Sequence, residues 1–313
     1  MRLAIAGFGA VGRAVAELAP EYGHDVVGIA DSSGAIVDED GIDVGDALAE
    51  KTDTGTVGPA DTDAVLAADY DALIEATPTT LGDAEPGYGH LAAALERDRH
   101  VVLANKGPVA ERYDDVMALA AESAGDVRFE ATVGGAIPAI ATIEGVGPSR
   151  VTALRGVLNG TANFILTRMA KEGLSYEHVL AEAQDLGVAE ADPAFDVEGT
   201  DAALKGTIVA NVLDDGGHTL ADATVEGITG VPTRALDLAG EDGRTIRLIV
   251  EVTDGDVRVG PRLVPEHDTL AVMGTMNIVQ VETEHAGRLS NSGRGAGGPE
   301  TASAVLADVD RLG

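Results

Sequence analysis

The chain of 313 residues contains no cysteine and no tryptophan, and only 3% of its residues are aromatic. Without cysteine there is no disulfide framework, no thiolate nucleophile and no thiolate-held metal. Basic residues are also few. Lys and Arg number 21 against 53 Asp and Glu, for a formal net charge of −32. Such a charge repels nucleic acid and anionic membrane surfaces, so neither is expected as a partner. Lysine occurs only at Lys51, Lys106, Lys171 and Lys205. No apolar run approaches the ~18–20 residues needed to span a bilayer. The carboxylates are dispersed along the chain, which suits folding in high salt, where self-repulsion is screened. A salt-adapted, cytoplasmic setting is the expectation.

Against these absences stand 40 glycines and an ordinary 45% of hydrophobic residues, enough for about two globular domains. The first third alternates apolar strand patterns at 3–6, 25–30, 71–76 and 100–104 with helical spacing at 13–18 and 88–97. Strands alternating with helices imply a parallel sheet covered on both faces. Residues 129–131 are expected as its last strand. Beyond them the texture changes. Strands are expected at 150–158 and 277–283, helices at 163–171, 175–186, 200–212 and 299–312, and a hairpin over 245–263 turning at Asp254-Gly255. The expected architecture is α/β: a parallel-sheet domain over 1–130, an α+β catalytic and dimerisation domain over 131–285, and a segment 286–313 that returns to the first domain.

The run GFGAVG places Gly7, Gly9 and Gly12 between the first strand and the first helix. The first twenty residues resemble a secretory leader in polarity, but this spacing has a more specific reading. Gly7 permits a tight turn, Gly9 lets backbone approach a pyrophosphate, and Gly12 lets helix and strand pack closely. Phe8, Ala10 and Val11 complete the loop, whose free N–H groups suit phosphate. Asp31 ends the second strand, where a carboxylate meets the adenine ribose hydroxyls. A carboxylate there favours NAD over NADP, while Arg13 and the Ser32-Ser33 pair could accommodate a 2′-phosphate. Both cofactors remain open.

Later motifs carry a more specific resemblance. IEATPTT, VVLANKGPVA, FEATVGGAIPAI, GVLNGTANFILTRM, AQDLGVAEADPAFDVEGTDAALK and GRGAGGPETASAVLADV occur in order over nearly the whole chain. Together they resemble the homoserine dehydrogenases, in a short form without a C-terminal regulatory domain. The resemblance implies a Rossmann-type nucleotide domain and NAD- or NADP-linked interconversion of L-homoserine and L-aspartate 4-semialdehyde. A homodimer formed through the second domain's sheet is also implied.

Reduction of an aldehyde needs a hydride and a proton at one carbonyl group. The resemblance makes Lys205 the proton donor and acceptor. Asp201, four residues earlier on the same helix face, would hydrogen-bond the substrate and influence the lysine. Lys106 and Thr77 follow strands at their carboxyl ends, where α/β sheets bind ligands; with Ala104 they are assigned to the cofactor, and Lys106 also to substrate. Glu190 and Asp196 are assigned to an amino-acid substrate, whose ammonium needs a carboxylate; Asp192 lies in the same cluster. Gly295 is placed near the cofactor. The main-chain oxygens of Glu130, Val133, Gly135 and Ile137 are implied to hold a monovalent cation, Na+ or K+.

Two other functions compete with this one. Another nucleotide-linked oxidoreductase of small amino or hydroxy acids would share the glycine loop. A non-catalytic dinucleotide sensor would not need the Asp201–Lys205 pair. Phosphorylating semialdehyde dehydrogenases are excluded, because their chemistry requires a thiol.

Overall fold

The computed structural model describes residues 1–313, which divide into two compact units, Met1–Ala136 with Gly297–Gly313, and Ile137–Ala296. The first holds a six-stranded sheet. Its strands are β1 (Arg2–Ala6), β2 (Asp25–Asp31), β3 (Gly34–Val37), β4 (Ala72–Glu75), β5 (His100–Leu103) and β6 (Val127–Arg128), in the order β3-β2-β1-β4-β5-β6. All neighbours are parallel except β2 and β3, which form a hairpin. β1 is flanked by β2 and β4, so the strand order reverses there; the carboxyl ends beside such a switch point form the ligand crevice of this architecture. β1, β4 and β5 are almost wholly buried, which explains why they are mostly apolar on both faces.

The C-terminal helix Gly298–Val309 packs on the helix Ala10–Leu18, burying Val305, Leu306 and Val309 with Val15 and Ala19 in one core. Gly298 lies so close to the Ala10 carbonyl that a Cβ would sit 2.8 Å from its oxygen.

The second unit holds β7 (Val151–Val157), β8 (Thr224–Val225), β9 (Arg244–Thr253), β10 (Asp256–Pro265), β11 (Met276–Thr283) and β12 (Gly287–Arg294), ordered β12-β11-β7-β9-β10-β8. Pairing is antiparallel apart from β8 with β10. The β9–β10 hairpin turns at Asp254 and Gly255, both with positive φ (49° and 78°), the backbone twist that two-residue hairpins require. The helix Thr200–Asp214 is buried from Asp201 to Asn211. Gly206 lets it lie against the sheet: a Cβ there would meet Val257 at 2.7 Å and Val250 at 2.9 Å.

Three expectations change. The last strand of the first sheet is Val127–Arg128, and Ala131–Gly134 is a helical turn. The Glu130 N–H donates to the Asp308 carboxylate at 2.8 Å and the Thr132 hydroxyl to the Phe129 carbonyl at 2.6 Å, so this backbone is committed to local and helix contacts, not to β5. Residues 287–294, assigned from sequence to the returning segment, are an edge strand of the second sheet. Their polar run GRLSNSGR hid this, because an edge strand buries little. Several short elements, including β3 and the helices Val44–Thr54 and Thr233–Glu241, were not anticipated.

Candidate functional site

The candidate nucleotide site of the first unit lies at the carboxyl ends of β1, β2, β4 and β5. The three loop glycines do different work. Gly7 takes φ 101° and abuts the main chain of Ala76 and Thr77, and a Cβ on Gly12 would collide with the Gly7 carbonyl. Gly9 has nothing within 4 Å of its would-be Cβ. It caps the helix Ala10–Leu18 with no side-chain bond to that helix. The first-turn N–H groups thus have no side-chain cap, and an uncapped helix N-terminus is the kind of feature that receives a pyrophosphate. Phe8 is buried, Val11 half-buried, and Ala10 exposed beside Gly9.

Asp31 ends β2 as anticipated, but it is not alone. Its carboxylate accepts from the Ser33 N–H at 2.8 Å and the Ser33 hydroxyl at 2.6 Å, and is ion-paired to Lys51. Burial opposes its charge; the Lys51 ammonium and the Ser33 donors outweigh that and hold the carboxyl below its ordinary value. Lys51 also donates to the Phe8 carbonyl at 3.1 Å, with its ammonium 5.4 Å from the Phe8 ring centroid. The Arg13 side chain is turned to the same carbonyl at 3.1 Å. Sequence reasoning passed over Lys51. Its rarity was a usable signal, since two of the other three lysines had been assigned roles.

Thr77 follows β4 and Lys106 follows β5, with Ala104 between strand and turn. The Thr77 N–H and hydroxyl both go to Glu75. Lys106 lies at the start of the helix Gly107–Glu111, its N–H 3.4 Å from the Thr79 hydroxyl. Glu130, Val133, Gly135 and Ile137 are all buried, and Gly135 takes φ 56° and ψ −117°.

The second unit holds a charged cluster of its own. The helix Thr200–Asp214 carries Asp201 in its first turn, where the helix dipole favours a carboxylate. Lys205 lies one turn on, with Nζ 2.7 Å from Asp201 Oδ2 and 2.6 Å from the Leu158 carbonyl. Both side chains belong to residues only 7% exposed. Asn159, which ends the β7 segment, donates from Nδ2 to Asp201 at 2.9 Å and to Asp196 at 2.6 Å, while its Oδ1 caps the helix Gly160–Glu172 through the Ala162 N–H. Asp196, Asp201, Lys205 and Asn159 thus form one network. Asn159 is buried, with its amide nitrogen and oxygen both bonded.

Glu190 and Asp192 lie outside that network. Glu190 is exposed, its carbonyl accepting from Gln184 at 3.1 Å. Asp192 is exposed and caps the turn at the Ala194 N–H at 3.2 Å. Gly295, just past β12, is pressed against the Asn277 side chain and could not carry a Cβ.

Known proteins match this arrangement. The homoserine dehydrogenase family pattern matches residues 138–309, and the Glutamate/Leucine/Phenylalanine/Valine dehydrogenase pattern matches residues 1–84. The homoserine dehydrogenase of Methanocaldococcus jannaschii is 40% identical, over 99% of this chain and 97% of that protein. A crystal structure from Archaeoglobus fulgidus, assigned as a homoserine dehydrogenase, superposes with a TM-score of 0.92 at 41% identity, covering 99% of this chain and 98% of that one. A hyperthermophilic archaeal homoserine dehydrogenase solved in complex with NADPH superposes with a TM-score of 0.86 at 29% identity, covering 99% of this chain and 96% of that one. Similar along nearly its whole length, this chain belongs to the homoserine dehydrogenase family and is an NAD(P)-dependent oxidoreductase acting on homoserine.

Proposed function

We propose that Lys205, held by Asp201, carries the proton in the interconversion of L-homoserine and L-aspartate 4-semialdehyde. The observation behind this is the buried 2.7 Å Lys205–Asp201 contact in a chain that spends only four lysines. When bound, the dinucleotide supplies the hydride in reduction and accepts it in oxidation. An ammonium has three donors. Two of those on Lys205 go to Leu158 and Asp201, and the third serves the substrate oxygen. In reduction that N–H protonates the oxygen as it gains negative charge; in oxidation Nζ takes the proton from the hydroxyl. Asp201 fixes the direction of Nζ, and Asn159 fixes Asp201 and Asp196. Glu190, exposed and without a side-chain bond to the network, receives the substrate ammonium, with Asp196 as support and Lys106 as a further substrate residue.

The loop Gly7–Gly12 fits a pyrophosphate at its open Gly9 face. Asp31 accepts from a free ribose hydroxyl, and Lys51 supplies the cation that a 2′-phosphate needs. The Asp31–Lys51 pair therefore serves NAD and NADP alike, and the lean toward NAD taken from Asp31 alone has no support once Lys51 is beside it. Thr77, Ala104 and Lys106 border the nicotinamide end. The buried carbonyls of Glu130, Val133, Gly135 and Ile137 are neutral oxygen donors, which suits a Na+ or K+ ion in a structural role.

The enzyme works as a cytoplasmic homodimer in a salt-rich cell. The sheet face opposite the helix Thr200–Asp214 supports the dimer: it carries Arg155 bonded to Glu251 at 2.8 Å and to Glu282 at 2.7 Å, a row of mixed charge that can pair with its own copy. Light scattering giving the mass of a monomer at all salt concentrations would rule the dimer out. Purified chain should reduce both NAD and NADP in the presence of L-homoserine, fastest in molar salt. A folded sample with no homoserine-dependent reduction of either cofactor would overturn the assignment.

A further inference from the structure

β4 ends on a glutamate that the chemistry above does not use. Glu75 is fully buried, paired in the sheet with Ala6 on one side and Leu103 on the other. A carboxyl group at such depth requires hydrogen-bond donors or a counter-charge. Glu75 has both. Its Oε2 lies 2.7 Å from Nδ1 of His90, on the helix Gly87–Leu95. Its Oε1 accepts from the Thr77 N–H at 2.9 Å, from the Thr77 hydroxyl, and from the Asn105 amide at 3.3 Å.

Asn105 is itself 1% exposed. It donates to Thr77 Oγ1 at 3.1 Å, and its Oδ1 accepts from the Gly107 N–H at 2.9 Å. The main-chain N–H groups of Ala104 and Asn105 close the ring on the Glu75 carbonyl, at 2.9 and 3.2 Å. His90's helix can come this near because residue 87 is glycine: a Cβ there would lie 2.5 Å from Asn105 Nδ2 and 3.4 Å from Glu75 Oε1. The carboxyl ends of β4 and β5 are thereby tied together through side chains committed to one another.

We propose that Glu75 and His90 form a positioning dyad. Through Thr77 and Asn105 they fix the main chain of Thr77 and Lys106, and so set the angle at which the nicotinamide half of the dinucleotide is presented. They act on orientation and not on capture, because the pyrophosphate loop and Asp31 lie on other strand ends. This rests on the reading that Thr77 and Lys106 border the nicotinamide.

The test separates kcat from binding. Glu75→Gln keeps the shape and removes the charge; His90→Ala removes the partner; His90→Asn keeps an N–H near the Nδ1 position. Dissociation constants for NADPH can be followed by the fluorescence of the reduced nicotinamide. The expected result is a fall in kcat of about tenfold or more in Glu75→Gln and His90→Ala, the scale on which small misplacements act. The NADPH dissociation constant and the KM for homoserine should stay within about threefold, and His90→Asn should recover most of the loss. Unchanged kcat per folded enzyme in His90→Ala would overturn the dyad. So would a loss confined to thermal stability, or one that His90→Asn does not relieve. Thr77→Val and Lys106→Ala are run beside them. If those leave both kcat and NADPH binding intact, the reading of the nicotinamide end fails; if they impair the enzyme while the dyad variants do not, only the dyad fails.

Discussion

Lys205 Nζ stands 2.7 Å from the carboxylate of Asp201, one helical turn earlier, with both residues 93% withdrawn from solvent. An exposed Asp–Lys pair at this spacing would be worth only ~0.3–0.5 kcal/mol. Here the pair is buried, and a buried charge left alone is costly. Asp201→Asn keeps a hydrogen-bond acceptor but removes the counter-charge. It is expected to lower kcat by roughly 10–100-fold, the worth of one hydrogen bond to a charged group, while the NADPH dissociation constant stays put. Steady-state kinetics with a parallel fluorescence titration decides it.

Asn159 bridges Asp196 and Asp201 and also caps the helix Gly160–Glu172. Asn159→Ala therefore has two consequences. Loss of the cap costs about 1 kcal/mol, visible as a lower Tm. Two carboxylates also lose their shared donor, so kcat should fall by more than the change in folded fraction explains. Calorimetry and kinetics on one preparation would show both; a lower Tm with unchanged kcat would reduce Asn159 to a cap.

Lys51 sits against Asp31 and the Phe8 carbonyl. Lys51→Ala should cost kcat/KM with NADP roughly 10–100-fold, as one charged contact is lost, and cost NAD far less. The ratio of the two kcat/KM values is the measurement. The Asp31 carboxyl is held below its ordinary value, so it stays ionised throughout the neutral range. Its contribution to stability is present above the unfolded-state value and is lost only as pH falls through the lower folded one. The NAD-to-NADP ratio should accordingly stay flat from pH 6 to 9 as far as Asp31 governs it.

The loop glycines give a separable pair. A Cβ on Gly9 enters open space, while one on Gly12 collides with the Gly7 carbonyl. Gly9→Ala should leave Tm nearly unchanged and weaken NADPH binding. Gly12→Ala should lower Tm as well. Equal effects of the two on Tm would contradict the division of roles.

Asp308 is pushed up to about 6 by burial, with the nearby Glu130 carboxylate adding to the effect and the Glu130 N–H and Arg311 opposing it. A raised carboxyl binds more protons folded than unfolded between about pH 4 and 6, so stability falls as pH rises through that window. The cost at neutral pH is on the order of 2–3 kcal/mol. Asp308→Asn retains an acceptor for the Glu130 N–H. Its Tm should exceed the parent's at pH 7.5 and approach it near pH 4.5, as melting curves across that range would show.

Much of this was legible in the residues. Strands β1, β4 and β5 announce themselves because both faces are buried and the residues are mostly apolar; the glycine loop does so because backbone geometry leaves few alternatives. The Asp201–Lys205 contact was legible from their four-residue spacing, while the role expected of Lys205 came from the resemblance. What escaped was long-range. Lys51 is 20 residues from Asp31, and His90 is 15 from Glu75; no periodicity links either pair. Glu75 did leave a trace, as the one charged residue inside the apolar ALIEA. β12 escaped because an edge strand of Arg, Ser, Asn and Gly has no buried face to pattern.

The most direct test of Lys205 as the proton carrier is homoserine oxidation by Lys205→Ala beside the parent, with NADPH binding measured on both. The parent should turn over, and the variant should bind NADPH within about threefold of it while kcat drops ~10²–10⁴-fold. A folded variant that keeps kcat within severalfold of the parent would show that the proton travels by another group.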